Sequence, residues 1–196
     1  MKVRKDENYK EYYEINEIIY KGAHSTIYKG MDKKSCEFRA IKIINLNIIE
    51  KEFSKKYNKS EVKNKIKDYI DGIIYEFEKM NECSYNNINS VKYYELFINK
   101  NEIILIMELC DNNILNILIE NKKGFTPKEI YKIMRQLNNT FKLISKKDLL
   151  LKNFEIEDIL IKYKDNKKFI IKLSNYLTSS NSKICCELNK YKISFI

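Results

Sequence analysis

A long amphipathic helix with a carboxylate on its apolar face constrains the fold of this 196-residue chain more than any other feature. Between about residues 60 and 83, apolar residues recur at spacings of three and four, which is the period of one helix face. They are Ile66, Ile70, Ile73, Phe77 and Met80. Glu76 falls within this series and therefore lies on the same face. A carboxylate on a buried face needs a cationic or hydrogen-bonding partner, so the sequence predicts such a partner for Glu76.

The segment before this helix has the pattern of a small antiparallel sheet. In residues 12–44, short runs of β-branched and aromatic residues alternate with turns at Gly22 and at Asp32–Lys34, which predicts three strands. Residues 1–11 are polar, and we expect them to be frayed. Residues 45–60 show no clear period, which indicates an insertion that forms a loop or a short extra helix.

The segment after the helix alternates between strands and helices. Residues 91–98 and 102–109 are aromatic and aliphatic runs joined by a polar tip, which predicts a hairpin. A short helix is predicted over 114–119. Further strands are predicted near 149–163 and 168–174. The fold class is therefore α+β, with a β-rich half that carries one long helix and a second half that is more helical.

A second long helix is predicted over residues 127–146. Thr126 is a helix-capping residue, Pro127 suits the first turn, and Glu129 follows the cap by three positions. The pattern predicts a buried stripe along this helix. Its members are Ile130, Met134, Leu137, Phe141 and Ile144.

Composition excludes several classes of protein. The five cysteines include no CxxC pair and His24 is the only histidine, which argues against a zinc site and a disulfide framework. The net charge of +10 comes almost entirely from lysines spread among acidic residues, which indicates a solvated surface rather than a nucleic-acid site. The longest strongly apolar run, residues 103–107, is too short to span a bilayer. We expect a cytoplasmic protein with reduced thiols.

Several motifs in this order resemble the protein kinase fold. Residues 19–30 are similar to the glycine-rich loop, with Gly22 as the one retained glycine and Ile27 as the residue that covers the adenine of ATP. Ala40-Ile41-Lys42 resembles the third-strand motif. The resemblance implies that Ala40 lies over the adenine and that Lys42 forms an ion pair with Glu76.

The adenine-binding strand and floor also have counterparts. Residues 104–110 resemble the strand that leads into the kinase hinge, which implies Met107 as the gatekeeper. The backbone groups of Glu108 and Cys110 would then face the adenine edge, and Leu160 would form the apolar floor. The resemblance therefore implies an ATP site with Mg²⁺ as the associated cation, both weakly bound.

The catalytic positions depart from the family pattern. Residues 149–161 resemble the catalytic loop, but Asn153 stands at the position of the catalytic Asp, and an amide cannot act as a general base. Glu155 replaces the lysine that holds the γ-phosphate. Asp158 and Asn175 stand at the two metal-ligand positions with their residue types exchanged, which leaves one carboxylate and implies weak metal binding.

The resemblance implies a two-lobed, protein-kinase-like organisation. Residues 12–110 correspond to the N-lobe and residues 111–196 to a partial C-lobe, since the sequence ends where the A-P-E motif would begin. Helix 127–146 would then keep an uncovered apolar flank. We expect a protein partner, either an active kinase or a protein that covers this flank, and no membrane partner.

Four functions remain open from the sequence. The first is an inactive kinase-like domain, a pseudokinase that acts as a binding or allosteric module. The second is a residually active ATP-dependent Ser/Thr kinase in which Lys42, Glu76 and Asp158 act by positioning and electrostatics. The others are a non-functional remnant and a basic nucleic-acid-binding module.

Overall fold

The computed structural model describes residues 2–121, 124–146, 155–165 and 168–174. These residues divide into two compact units. The described part of the first unit consists of residues 2–78 and 93–109, and that of the second lies within residues 79–92 and 110–174.

The first unit is built on a six-stranded sheet with the strand order β1-β5-β6-β4-β3-β2. The strands are β1 (Lys2–Lys5), β2 (Tyr13–Lys21), β3 (Ser25–Asp32), β4 (Phe38–Asn45), β5 (Tyr93–Ile98) and β6 (Glu102–Glu108). Neighbouring strands are antiparallel except for β1, which pairs with β5 in parallel. The three strands predicted in residues 12–44 and the hairpin predicted after the long helix are confirmed.

The sheet of the first unit has a buried cluster on one face. Directly opposed residues of paired strands share a face, as do residues two apart in one strand, so Ile41, Ile104 and Ile106 lie together. Tyr9, Tyr13 and Phe97 complete this cluster, and the rings of Tyr9 and Tyr13 contact Phe97 edge to face. We call this side of the sheet the tyrosine face.

The N-terminal segment is ordered, which differs from the frayed segment that its polarity predicts. Strand β1 extends the sheet, and a short 3-10 helix at Tyr9–Glu11 brings Tyr9 onto the tyrosine face. The Arg4 guanidinium lies 4.1 Å from the Tyr12 ring centre and forms ion pairs with Glu7 at 2.6 Å and Glu95 at 3.0 Å. A buried cation with two carboxylate partners therefore holds this segment in place.

Two helices belong wholly or largely to the first unit. Helix α1 (Leu46–Ser54) begins at Asn45, whose side chain accepts hydrogen bonds from the backbone N–H groups of Asn47 and Ile48, an N-cap. It is the extra helix that was one of two alternatives for residues 45–60. Helix α2 (Lys59–Ser84) confirms the predicted long helix, and its last six residues belong to the second unit.

The predicted stripe on α2 is buried along its C-terminal half. Ile73, Phe77 and Met80 are buried, whereas Ile66 and Ile70 are half-buried. Buried positions that the prediction missed are Val62, Tyr69 and Cys83. In the N-terminal half of α2, Val62 and Tyr69 are therefore the buried residues, and Ile66 and Ile70 lie at the edge of the buried face.

The second unit contains a small sheet and two further helices. The sheet has the order β7-β8-β9, with β7 (Asn112–Asn113), β8 (Ile159–Asp165) and β9 (Lys168–Leu173). The helices are α3 (Ile114–Glu120) and α4 (Pro127–Lys146). Helices α3 and α4 and strands β8 and β9 follow the sequence predictions, whereas β7 was not predicted. Residues 149–154 of the predicted strand region lie outside the described residues.

The buried stripe on α4 is rotated from the predicted one. Ile133, Leu137, Thr140 and Ile144 are buried, whereas Ile130 is 49% exposed and Met134 is 57% exposed. The apolar arc of the helix is wider than the contact that the described residues make with it. The prediction that Ile130 and Met134 are core residues is therefore wrong, since both lie on the exposed flank.

A buried polar network joins α4 to β9. The Asn89 side-chain amide donates to Gln136 Oε1 at 2.9 Å and to the Ile171 carbonyl at 2.9 Å. The Ile171 backbone N–H donates to the same Gln136 oxygen at 3.0 Å. The α+β class is confirmed, and within the described parts of the chain no helix is long and apolar enough to cross a bilayer.

Candidate functional site

Lys42 lies at the centre of the face opposite the tyrosine face. It stands in β4, opposite Ile27 of β3 on one side and Leu105 of β6 on the other. Only 1% of its surface is exposed, and its Nζ atom is buried. A lysine is almost never fully buried without a compensating interaction, which marks this position as more than a surface lysine. We call this side of the sheet the lysine face.

The predicted adenine-contacting side chains adjoin Lys42 on the lysine face. Ala40 is two residues before Lys42 in β4 and stands opposite Met107 of β6. Ile27, Ala40 and Met107 are all buried. The sheet register therefore brings three of the predicted binding residues and Lys42 into one continuous surface.

Helix α2 lies on the lysine face as well. Its Phe77 ring contacts the Tyr93 ring edge to face, with centres 6.3 Å apart, and Tyr93 is opposed to Met107 in the sheet. Glu76 precedes Phe77 and is half-buried. The predicted partners Lys42 and Glu76 thus belong to elements on the same side of the sheet, and the ion pair between them stays a prediction.

The turn between β2 and β3 contains Gly22. The Gly22 backbone N–H donates to the Ser25 carbonyl at 2.8 Å, which closes the turn. A Cβ atom at Gly22 would lie 3.1 Å from the Tyr20 ring, so this ring packs against the turn and would have to shift by a few tenths of an ångström to accommodate a larger residue. The packing of the Tyr20 ring therefore favours a small residue at this position of the turn.

The same turn is joined to helix α1. His24 is buried, and its Nε2 lies 2.8 Å from Glu52 Oε1. The Asn45 backbone N–H donates to the His24 carbonyl at 3.0 Å. Helix α1, the insertion predicted in residues 45–60, thus contacts the turn through a side chain and through the residue that caps it.

The residues predicted to face the adenine edge lie at the end of β6 and just beyond it. Glu108 is the last residue of β6, is buried, and stands opposite Arg39. Cys110 belongs to the second unit and is half-buried. Their predicted contacts are made by backbone groups and remain predictions.

In the second unit, two carboxylates of the catalytic-loop segment cap a short 3-10 helix at Ile156–Asp158. The Glu155 side chain accepts from the Asp158 backbone N–H, and Asp158 Oδ2 accepts from the Glu155 backbone N–H at 2.9 Å, a reciprocal capping box. Asp158 is 2% exposed, and its carbonyl accepts from the Ser174 backbone N–H at 2.9 Å. We call Glu155 and Asp158 the capping pair.

The remaining predicted site residues divide by location. Leu160 follows the capping pair on β8, opposite Lys172 of β9, and is half-buried. Asn153 and Asn175 lie outside the described residues. In the part of the chain that the structure describes, no three His, Cys, Asp or Glu side chains form a potential metal site.

Sequence reasoning missed two polar contacts, Arg4 with Glu95 and His24 with Glu52. Both contacts join residues that are distant in sequence, and each of these residues lies in a stretch that reads as polar and solvent-exposed. The signal available for the first was the cluster of tyrosines at positions 9, 12 and 13, which is too aromatic for a frayed end. The second had no local signal, because a lone histidine in a turn is ordinary.

Both units have the element order and motif positions of a protein kinase domain. A family model described as the protein kinase domain matches residues 13–193, and the chain belongs to the protein kinase family.

Curated relatives agree with this membership. The chain is 28% identical over 155 residues to calcium-dependent protein kinase 5 of Plasmodium falciparum, covering 79% of this chain and 23% of that protein. It is 26% identical over 154 residues to NUAK family SNF1-like kinase 1 of Mus musculus, covering 79% of this chain and 21% of that protein. The chain thus spans less than a quarter of the length of these two relatives.

Solved structures support the fold. The crystal structure of Rad53 1-466 in complex with AMP-PNP matches with a TM-score of 0.66 and 17% identity. The match covers 84% of this chain and 39% of the Rad53 chain. The fold is therefore a mixed α+β kinase-like fold whose β-rich sheet forms the first unit.

Proposed function

We propose that this chain is a pseudokinase module that keeps the adenine-contacting half of the kinase nucleotide site, has lost the phosphate-handling half, and acts by binding another protein. It transfers no phosphate, and it binds nucleotides weakly or not at all. Membership of the kinase family supports the comparison with the kinase nucleotide site, and the residue types at the catalytic positions support the loss of activity.

The capping pair carries this proposal. The kinase pattern has a lysine for the γ-phosphate at position 155 and a metal-binding asparagine at position 158. Here both are carboxylates, and each accepts a hydrogen bond from the backbone of the other residue. Two negative charges held by backbone capping would repel a γ-phosphate rather than hold it. The arrangement supports a structural role for these side chains.

The sequence at the other catalytic positions points the same way. Asn153 replaces the carboxylate that accepts the substrate proton, and general base catalysis typically contributes roughly a hundred- to ten-thousand-fold to rate. Asn175 replaces a metal-binding aspartate. Loss of base and metal alignment together favours the absence of measurable turnover.

The glycine turn supports weak phosphate binding. Phosphates are bound by backbone N–H groups that point at the ligand, but the Gly22 N–H donates within the turn at 2.8 Å. The Tyr20 ring packs against the same turn. By contrast, the apolar lysine-face surface of Ile27, Ala40 and Met107 fits a flat adenine ring, with Lys42 beside it.

A protein partner is supported by the exposed flank of α4. Ile130, Tyr131 and Met134 are each about half or more exposed. Exposed apolar clusters of this kind mark interaction sites or aggregation liabilities. The exposed Cys36 thiol forms no disulfide, which supports our proposal of a reducing, cytoplasmic location.

Radiometric phosphotransfer from ATP tests the proposal. Purified chain is incubated with γ-labelled ATP, Mg²⁺ or Mn²⁺, and a generic protein substrate, beside the Lys42→Ala variant as the matched control for contaminating kinases. We expect the same background labelling from both proteins.

Labelling that is present in the unchanged chain and absent in Lys42→Ala would instead support the second function, a residually active kinase. The burial of Lys42 on the same side of the sheet as α2 is the observation that favours this alternative. Equal labelling by both proteins identifies a contaminant and leaves the pseudokinase proposal supported.

A further inference from the structure

The second unit contains an open cavity that is not part of the predicted nucleotide site. Its volume is about 300 Å³. Lys132 of α4, Lys164 of β8, and Lys168 of β9 line it together with Phe169 and Ile170. The three lysines are exposed, and the two apolar residues are half-buried. We call this feature the lysine-rimmed cavity.

The charge around the cavity is strongly one-sided. Three of its five described lining residues are lysines, and the acidic residues of α4, β8 and β9 are Glu129 and Asp165. The Glu129 carboxylate is occupied by Thr126, whose backbone N–H and hydroxyl donate to it at 2.8 and 2.7 Å. None of the described lining residues is acidic, so the cavity favours an anionic ligand.

Two walls of the cavity, α4 and β9, are joined by a hydrogen-bond network. Gln136 lies one helical turn after Lys132, and its Oε1 accepts from the backbone N–H of Ile171, the residue after Ile170. Asn89 donates to the same oxygen. Because α4 and β9 are joined by these hydrogen bonds, a ligand would find the cavity largely formed and would lose little free energy in ordering it.

The chemistry of the rim distinguishes between kinds of anion. Phosphorylated peptides are typically recognised by arginine clusters, since guanidinium binds phosphate through two parallel hydrogen bonds. The three arginines of the chain are Arg4, Arg39 and Arg135, and none of them lines the cavity. A single-stranded nucleic acid needs a basic groove with several stacking platforms, whereas the described lining of this cavity includes one aromatic residue, Phe169.

We propose that the lysine-rimmed cavity is a docking site for an acidic segment of a partner protein, with one apolar side chain of that segment against Phe169 and Ile170 and flanking Asp or Glu residues near the three lysines. Charge complementarity selects the carboxylates, and the apolar floor selects the anchor. This site is separate from the predicted nucleotide residues, so it stands whether or not the chain binds ATP.

Fluorescence anisotropy with designed peptides tests this proposal on the full chain. The probe is a fluorescein-labelled hexapeptide of Asp and Glu with one central Phe, and companion probes carry Leu, Ile or Tyr in its place. Three further probes replace the central residue with Gly, the acids with Lys, or the acids with a single phosphoserine beside Gly. A labelled uridylate RNA serves as the nucleic-acid probe.

Two triple variants with the same net charge separate the cavity from general electrostatics. The test variant combines Lys132→Glu, Lys164→Glu and Lys168→Glu. The control variant combines Lys51→Glu, Lys63→Glu and Lys67→Glu on exposed positions of α1 and α2. Circular dichroism melts of both establish that they fold.

We expect the acidic probes with an apolar centre to bind the unchanged chain and the control variant, and to bind the test variant about tenfold or more weakly. The Gly-centred probe should also bind about tenfold more weakly.

The proposal is overturned if no acidic probe binds, if both triple variants lose affinity equally, or if the Gly-centred probe binds as well as the others. Tighter binding of the phosphoserine probe or of the RNA, lost in the test variant, would equally overturn the choice of an acidic segment. If the test variant alone fails to fold, the Gly-centred and Lys-substituted probes on the unchanged chain still decide the outcome.

Discussion

Replacement of Arg4 by alanine should destabilise the first unit through the contacts that hold the N-terminal strand. The Arg4 side chain is 9% exposed and pairs with Glu95, which is 18% exposed, and with Glu7, which is 39% exposed. Although burial acts to lower the pKa of Arg4, its hydrogen bonds to Glu95 and Glu7 raise it above the ordinary value. The guanidinium therefore remains charged in the folded state.

The expected loss follows from what the alanine leaves behind. Removing one partner of a buried ion pair typically costs about 3–5 kcal/mol. Because Glu7 is partly solvated and Tyr13 still donates to Glu95 at 3.2 Å, we expect about 2–3 kcal/mol in the free energy of unfolding. In urea this corresponds to a midpoint lower by about 1 M.

Urea unfolding followed by circular dichroism measures this loss, with Lys29→Ala as the control. Lys29 pairs with Glu17 at 3.1 Å in the same sheet, but both side chains are about a third or more exposed, and such a surface pair contributes about 0–1 kcal/mol. If Arg4→Ala costs no more than Lys29→Ala at an unchanged urea slope, the N-terminal segment does not stabilise the fold and the reasoning is refuted.

Three further predictions concern pH and surface chemistry. The hydrogen bond from Arg4 holds the pKa of Glu7 below its usual value, so the associated stability is present above about pH 4.3 and is lost as pH falls. The urea midpoint of Arg4→Ala should therefore decrease less steeply with falling pH than that of the unchanged chain. Burial raises the pKa of Tyr9 to about 12, so the free energy of unfolding should fall as pH rises from about 10 to 12. The Tyr9→Phe variant should lose less of this free energy over the same interval, and an equal loss in both proteins would exclude Tyr9 as the cause. Since Met134 is 57% exposed, Met134→Glu should change the free energy of unfolding by less than about 0.5 kcal/mol and should reduce light scattering by the purified chain, which would stay unchanged if this flank made no contacts.

The elements that could be predicted from the sequence are those whose signal lies within a single helix or strand. The strands at residues 13–45 and the helix at 59–84 follow from β-branched runs and from helical spacing, since both signals arise within one element. The wrong stripe on α4 has a tertiary cause. The apolar arc of this helix includes both Met134 and Ile133, and contacts from other elements decide which of them is buried.

The N-terminal segment shows what pattern reasoning cannot reach. Lys2–Lys5 has one apolar residue among four, so nothing in it predicts a strand. It becomes one because Arg4 finds carboxylates at Glu7 and Glu95 and an aromatic surface at Tyr12. A buried cation is indistinguishable from a solvated one until its long-range partners are known.

The candidate site divided in the same way. Ile27, Ala40, Lys42 and Met107 share a face once the strand register is set, whereas their binding roles stay predictions. The capping of a 3-10 helix by Glu155 and Asp158 was not foreseen, because the family pattern drew attention to their ligand roles. The cavity rimmed by lysines was missed because its lysines come from three elements.

Calorimetry with adenosine, ATP and magnesium-ATP tests most directly the claim that the adenine-contacting half of the site remains and the phosphate-handling half is lost. The account predicts that any binding is weak, that adenosine binds within about threefold of ATP, and that magnesium adds little. A matched Ala40→Phe variant, which places a large ring opposite Met107 on the lysine face, should abolish what binding there is. Magnesium-ATP binding that is more than about tenfold tighter than adenosine binding would contradict the account.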